Sequence, residues 1–235
     1  MVMRTDTVGG LPKLDLQPAD AERIRVVHRA EVYDAIYANA EGDPSRVPWA
    51  ELRACPIMVH WLNHEAPRMV RPGSRSVVVG CGLGDDVVEL TQRGYDVVGF
   101  DCSPNAVRWA ARRHPNCADR FLIADLLDVP ARLAGRFDLV VDVSTLTQVD
   151  PELRTEAMAG ISRLLSPRGV AVLICRGRPR EEPLHREDGP PWAMTDEELV
   201  RLASGAGLNS RRAPEEIPGD EHPPRSMMLA VFSRG

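Results

Sequence analysis

No apolar run in this 235-residue chain approaches the ~20 residues that a membrane span requires. Met1 to Gly10 also lacks the apolar stretch of a signal peptide. The five cysteines, Cys55, Cys81, Cys102, Cys117 and Cys175, are odd in number and contain no C-x-x-C pair. Reduced thiols in a cytoplasmic protein are the expectation they support. A basic surplus is missing too. The net charge is -5, whereas a nucleic-acid partner asks for a basic surface. The clusters Arg108-Arg112-Arg113 and Arg211-Arg212 read as solvated faces. No internal repeat, Ser-His-Asp order or nucleophile elbow stands out.

What the chain does have is Ser76-Val-Val-Val-Gly-Cys-Gly-Leu-Gly-Asp-Asp86. Three β-branched residues run into a glycine turn, and Asp85 to Arg93 then reads as a helix with Val87, Val88 and Leu90 on its apolar side. Strand, glycine turn and helix open a nucleotide-binding α/β sheet. A dinucleotide site wants G-x-G-x-x-G, but Asp85 holds the third glycine position. Two acids at the helix start suit a ligand carrying an ammonium and a sulfonium better than a pyrophosphate. S-adenosylmethionine (SAM) is such a ligand.

Before this stretch lie a polar tail over residues 1–16 and a helical region over 17–71. The first helix is expected from Pro18 to about Ala40, and a second follows Pro56 and closes at Pro67. These segments are placed to cap a site at the carboxyl edge of the sheet. Residues 72–235 alternate strand and helix, as a parallel sheet demands. Strands are expected at Tyr95–Asp101, Arg120–Asp125, Phe137–Val143 and Val170–Cys175, the last after a turn at Pro167-Arg-Gly169. Ser103-Pro104 and Asp150-Pro151 each supply a helix cap with proline in the first turn. Thr195-Asp-Glu-Glu198 has capping-box spacing, and Gly207 ends its helix. Two strands, Leu208–Ala213 and Ser226–Phe232, complete a doubly wound, mostly parallel seven-stranded sheet, Rossmann-like in type. The proline-rich insertion at 176–193 is too long for a simple connector and reads as an acceptor-site lid.

Ligands of such sheets bind where the strands end and the winding reverses. The second strand ends in Asp101, placed to accept from both ribose hydroxyls. The third ends in Asp125-Leu126, suited to an adenine amino group and ring. The fourth ends in Asp142-Val-Ser144, beside the reactive end of the cofactor. An aspartate after a strand is often only a turn former, and Asp125 alone would read that way.

These residues resemble the class I SAM-dependent methyltransferases: Val-Val-Val-Gly80-Cys-Gly82-Leu-Gly84, Val-Val-Gly-Phe-Asp101-Cys-Ser-Pro, Ile-Ala-Asp125-Leu126, Phe137-Asp-Leu-Val-Val-Asp142 and Leu164-Leu-Ser-Pro-Arg-Gly169 look like the family's successive motifs. A looser similarity, through Tyr37-Ala-Asn-Ala-Glu-Gly with Pro48-Trp49 and through Gly189-Pro-Pro-Trp-Ala-Met-Thr195, points to the thiol and thiopurine methyltransferase group. It implies that the region of Trp49 closes over the cofactor and that the later segment borders the acceptor. The cofactor-binding set is then Trp49, Gly80, Cys81, Gly82, Gly84, Asp86, Asp101, Cys102, Asp125, Leu126, Asp142, Val143 and Ser144.

The expected partner is a small-molecule methyl acceptor, with sulfur or nitrogen favoured over oxygen because no base dyad is evident. His60, His64 and His185 are the available candidate bases. His60 and His64 are one turn apart, but Trp61 occupies the place of the glutamate in a zinc-protease helix, so no metal is expected. An NAD-dependent oxidoreductase and a catalytically silent SAM-binding module are the rival readings, and oligomeric state is not legible.

Overall fold

The computed structural model describes residues 7–8, 11–12, 30–218 and 226–234. Within the expected tail, Thr7–Val8 pairs antiparallel with Leu11–Pro12. The stretch expected to begin the first helix at Pro18 lies outside the described residues as far as 29.

Helix α1 spans Ala30–Asn39 and α2 spans Pro56–His64. Strand β1 (Arg75–Val79), helix α3 (Asp85–Gln92), β2 (Asp96–Asp101), α4 (Pro104–Arg113) and β3 (Phe121–Ile123) form the first half of the winding. The second half is β4 (Phe137–Val143), a short α5 (Thr145–Gln148), α6 (Arg154–Leu164), β5 (Leu165–Arg176) and α7 (Asp196–Gly205). Three strands close the described chain: β6 (Leu208–Ser210), β7 (Glu215–Pro218) and β8 (Ser226–Arg234).

The sheet order is β3-β2-β1-β4-β5-β8-β6, with β7 also on β8. Strands β1 to β5 run parallel and β8 runs antiparallel to its neighbours. The winding reverses between β1 and β4, which puts a crevice at their carboxyl ends.

Burial follows the pleat. Val77, Val79 and Val140 face one side, with Met158, Ile161 and Leu164 of α6 and Leu199 and Ala203 of α7. Val78, Leu139 and Val141 face the other, with Met58, Trp61 and Leu62 of α2 and Val87 and Leu90 of α3. Strands covered on both sides read as continuous apolar runs, and Val77 to Val79 is such a run. Trp61 is fully buried, and truncation of a core aromatic of this kind costs about 3–5 kcal/mol.

Three expectations are corrected. The sheet has eight strands rather than seven, because the partner along the edge of β8 is broken in two. Leu208–Ser210 pairs with its end, and Glu215–Pro218 pairs with its beginning. Pro214 sits in the bend between them and has no N–H to give a ladder. Next, Pro167-Arg-Gly169 is no turn. It lies inside β5 as an irregularity opposite Phe137 and Leu139, and a Cβ on Gly169 would stand 2.6 Å from the Phe137 carbonyl. Lastly, α5 intervenes before the expected helix, and Asp150 caps a 3-10 turn, Pro151–Leu153, that leads into α6. The caps at Ser103 and Thr195 form as expected, accepting from the N–H groups of Ala106 and Glu198.

Candidate active site

Gly80, Gly82 and Gly84 all take positive φ, at 58°, 50° and 91°. Such angles favour glycine, but the three differ in surroundings. A Cβ on Gly80 would stand 2.2 Å from Thr145 Oγ1, and one on Gly84 2.6 Å from the Phe121 ring. Packing inside the protein demands those two. At Gly82 the nearest atom is the Tyr37 hydroxyl, 3.1 Å away, so bare backbone faces a polar aromatic wall. The buried Cys81 donates its N–H to Phe100 O at 2.9 Å and ties the turn to β2.

Asp85 and Asp86 open α3 but do different work. Arg113 grips Asp85 with both guanidinium nitrogens, at 2.5 and 2.8 Å, and neutralises it. Of the two acids expected to suit a cationic ligand, Asp85 is therefore already paired with a cation of the protein's own. Asp86 Oδ1 accepts from the Cys55 N–H at 2.8 Å. Burial pushes its carboxyl up to about 6, against that hydrogen bond and with the acids Asp85, Glu51 and Glu89 adding to the rise.

Asp101, buried at the end of β2, accepts from the Gly82 N–H at 3.0 Å and from the Ser103 N–H at 2.9 Å. Burial raises its carboxyl above the ordinary range, and those two N–H groups hold it down. The half-buried Cys102 thiol is pushed far up by burial and by the charges of Asp101 and Asp125. Asp125 accepts from the Leu127 N–H at 2.8 Å, the turn-forming geometry an acid adopts after a strand. Leu126 is buried, its carbonyl so close to α6 that a Cβ on Gly160 would stand 2.1 Å from it.

At the end of β4, Asp142 is fully buried. Its Oδ1 accepts from the Leu146 N–H at 3.3 Å, and its Oδ2 has no hydrogen-bond partner among the described residues. Burial pushes this carboxyl up to about 7. Val143 is half-buried on the opposite face, against the cluster that holds Trp61. Ser144 has φ 63°, an uncommon angle for a residue with a Cβ, and donates its N–H to Ile174 O at 2.7 Å. Thr145 Oγ1 donates to Val79 O at 3.0 Å, so α5 starts against the glycine turn.

The N-terminal helix crosses this edge. Asp34 accepts from Ser103 Oγ, the Asn105 N–H and Asn105 Nδ2 at 2.7, 2.8 and 2.9 Å, which adds a second acid at the start of α4. Trp49 donates from Nε1 to the Tyr37 hydroxyl at 2.7 Å. Its ring meets Tyr33 and Tyr37 edge-on, with centroids 5.6 and 5.8 Å apart. Of the N-terminal candidates the structure brings Trp49 to the crevice. The sequence reading missed Tyr33 and Asp34, and a tyrosine pair one turn apart on an amphipathic helix was the available signal.

His60 and His64 do not reach the crevice. Asn63 accepts from Arg93, the residue that ends α3, so the last turn of α2 lies at the opposite end of α3 from the glycine turn. His60 and His64 stack on each other there, exposed, with ring centroids 4.2 Å apart. His185 is exposed and pairs with Glu187. Their described contacts give none of the three a role as a base.

The 176–193 segment packs against the body of the fold. Trp192 is buried and donates its backbone N–H to Thr147 O at 2.8 Å. Arg154, 1% exposed, donates to Trp192 O and to Glu198. Arg186 reaches Asp150 and Glu152, and Arg180 reaches Asp196 and Glu197.

No group of three or more potential ligands that could hold a metal exists among the described residues. No described helix is long and apolar enough to cross a membrane. A mostly parallel sheet of this order, with an antiparallel β8 beside β5 and a buried acid bonded to the glycine turn, fits the class I SAM-dependent methyltransferases, whose cofactor is SAM.

The chain belongs to the thiopurine S-methyltransferase family, whose model matches residues 40–217. It is 30% identical to thiocyanate methyltransferase 1 of Brassica oleracea over 63% of this chain, spanning 62% of that relative's length. Against thiocyanate methyltransferase 1 of Arabidopsis thaliana the identity is 30% over 73% of this chain and 74% of the relative. The Burkholderia thailandensis 1,6-didemethyltoxoflavin N1-methyltransferase, solved with S-adenosylhomocysteine, shares the fold with a TM-score of 0.68 at 16% identity, covering 95% of this chain and 94% of its own. These matches do not favour the oxidoreductase or the silent-module alternative.

Proposed function

We propose that the chain transfers a methyl group from SAM to a small-molecule acceptor by direct in-line displacement, with sulfur or nitrogen as the attacking atom. The observation that carries this is the Asp101–Gly82 hydrogen bond, which joins an acid at one strand end to bare glycine backbone at the next. In this reading the backbone of Gly80, Cys81, Gly82 and Gly84, with Asp86, lies along the amino-acid end of the cofactor. Asp101 and Cys102 serve its ribose, Asp125 and Leu126 its adenine, and Asp142, Val143 and Ser144 its reactive end. Trp49, packed on Tyr33 and Tyr37 of α1, covers it, so residues 30–71 act as a cap and residues 176–193 wall the acceptor side.

When bound, the cofactor supplies an electrophilic methyl on a sulfonium. The protein's part is to hold the acceptor in line and keep water out, and much of the acceleration in such displacements comes from positioning. His60 and His64 stack on each other at the far end of α3, and His185 is exposed and paired with Glu187, which is in keeping with a nucleophile that needs no strong base. The net charge of -5 supports an acceptor other than nucleic acid, and five unpaired thiols support a cytoplasmic setting.

Following S-adenosylhomocysteine release over a panel of thiols, amines, phenols and carboxylates tests the reading. Turnover with thiols or amines is expected. Turnover confined to hydroxyl or carboxylate acceptors, or to a macromolecule, would overturn it.

A further inference from the structure

A continuous set of side-chain contacts crosses the crevice from the glycine turn to the 176–193 segment. The Tyr37 hydroxyl stands over Gly82 and takes the Trp49 indole hydrogen. Trp49 packs edge-on against Tyr33. The Tyr33 hydroxyl lies 3.0 Å from Gln148 O and 3.1 Å from Gln148 Oε1. It has one proton to give and two acceptors in reach, both on the last residue of α5. From its other side α5 gives its Thr147 carbonyl to the Trp192 N–H. At its start stand Ser144 in a left-handed conformation and Thr145 bonded to Val79.

A four-residue helix can make almost no internal hydrogen bonds. Its position is therefore set by what holds it, and on the α1 side that hold is Tyr33. Tyr37, which faces the glycine turn, and Tyr33, which holds α5, are a single turn apart on α1.

We propose that Tyr33 is a positioning residue. Through Gln148 it makes the placement of α5 depend on α1 being seated over the glycine turn, so that occupation of the cofactor side orders the acceptor side. Asp34, next to Tyr33, fixes α1 on α4 through Ser103 and Asn105, which gives the lever its fulcrum. Coupling of this kind is reciprocal in binding, and is commonly on the order of 5–150-fold between two sites.

This inference rests on the proposed SAM site, and its test separates the two. Hydrogen–deuterium exchange is measured on peptides covering residues 143–150 and 78–86, with and without S-adenosylhomocysteine, in wild type and Tyr33→Phe. The variant keeps the ring against Trp49 and removes only the hydroxyl. In wild type the added S-adenosylhomocysteine should slow exchange in both peptides, in 143–150 by roughly tenfold, within the usual range of coupling. In Tyr33→Phe the slowing in 78–86 should persist, with calorimetric affinity within about threefold of wild type, while that in 143–150 falls below about twofold.

A loss of fold would instead speed exchange everywhere and without ligand. Gln148→Ala, which keeps the carbonyl acceptor, should lose only part of the response. Full protection of 143–150 in Tyr33→Phe overturns the proposal, as does its absence in a wild type that binds S-adenosylhomocysteine. A wild type that does not bind it at all overturns both readings.

Discussion

Gly82 gives its N–H to Asp101 Oδ2 at 3.0 Å, which fixes the glycine turn and the acid of the neighbouring strand as one body. Ser103 takes the other carboxylate oxygen into the start of α4. The acid is thus held in place before a ligand arrives. Hydrogen bonds to a charged group are worth about 1.5–3 kcal/mol each, and about 1.4 kcal/mol is one decade of affinity. Asp101→Ala should therefore weaken SAM binding by at least roughly tenfold in calorimetry. Unchanged affinity would remove Asp101 from the site.

The three glycines should separate by readout. Gly80→Ala and Gly84→Ala place a methyl against Thr145 and Phe121 at positive φ, so both should lower thermal stability. A left-handed angle alone costs a non-glycine residue about 1–2 kcal/mol. Gly82→Ala meets only the Tyr37 hydroxyl at 3.1 Å and should lose S-adenosylhomocysteine affinity out of proportion to its change in melting temperature. Equal loss of both quantities in all three variants would show that the turn is structural alone.

Asp34 links stability to acid. Burial acts to raise its carboxyl, but hydrogen bonds from Asn105 and Ser103 and the charge of Arg108 leave it below the ordinary 3.8. A depressed folded value means stability that is present above the unfolded value and lost as pH falls through the folded one. Urea midpoints of wild type should accordingly drop relative to Asp34→Asn on acidification below about pH 4. Parallel profiles would mean that Asp34 does not hold α1 in place.

Asp142 has the opposite sign. Its carboxyl is pushed up to about 7, so between the unfolded value of 3.8 and that point the folded state holds a proton the unfolded chain has lost. Across that interval stability falls as pH rises, by about 1.4 kcal/mol for each pH unit. Its charge in turn helps to push up the buried Cys175 thiol. Asp142→Asn should gain on wild type from about pH 4 to about pH 7 and hold a constant margin above that. Chemical denaturation across this range decides it, and a margin independent of pH would contradict the raised carboxyl.

The winding was legible because each strand is written in residues that sheets select. Phe137–Val143 agrees at both ends, and Ser103-Pro104 and Thr195 cap the helices they announce. The broken edge was hidden, because a strand pairing along one side only carries little apolar pattern, and Pro214 marks the break only once the partner is known. At the site, the acids at strand ends were visible by position, whereas the partners that decide their state lie far off in sequence. Arg113 neutralises Asp85 from 28 residues away, and Asp34 reaches Asn105 across 71. Tyr33 was passed over, and only the fold brings it to Gln148, 115 residues on.

Strand β8 lies between β5 on one side and β6 with β7 on the other, and it supplies Met228, Ala230 and Phe232 to one core cluster and Leu229 and Val231 to the other. On the ribosome this segment is made after all seven other strands of its sheet. Until Ser226–Arg234 leaves the exit tunnel, the long strand β5 presents an unpaired edge from Val170 to Arg176, the kind of open ladder on which other chains nucleate aggregates. Of the eight strands it is thus β8, the last in the described chain, that closes the sheet on the side away from the crevice strands.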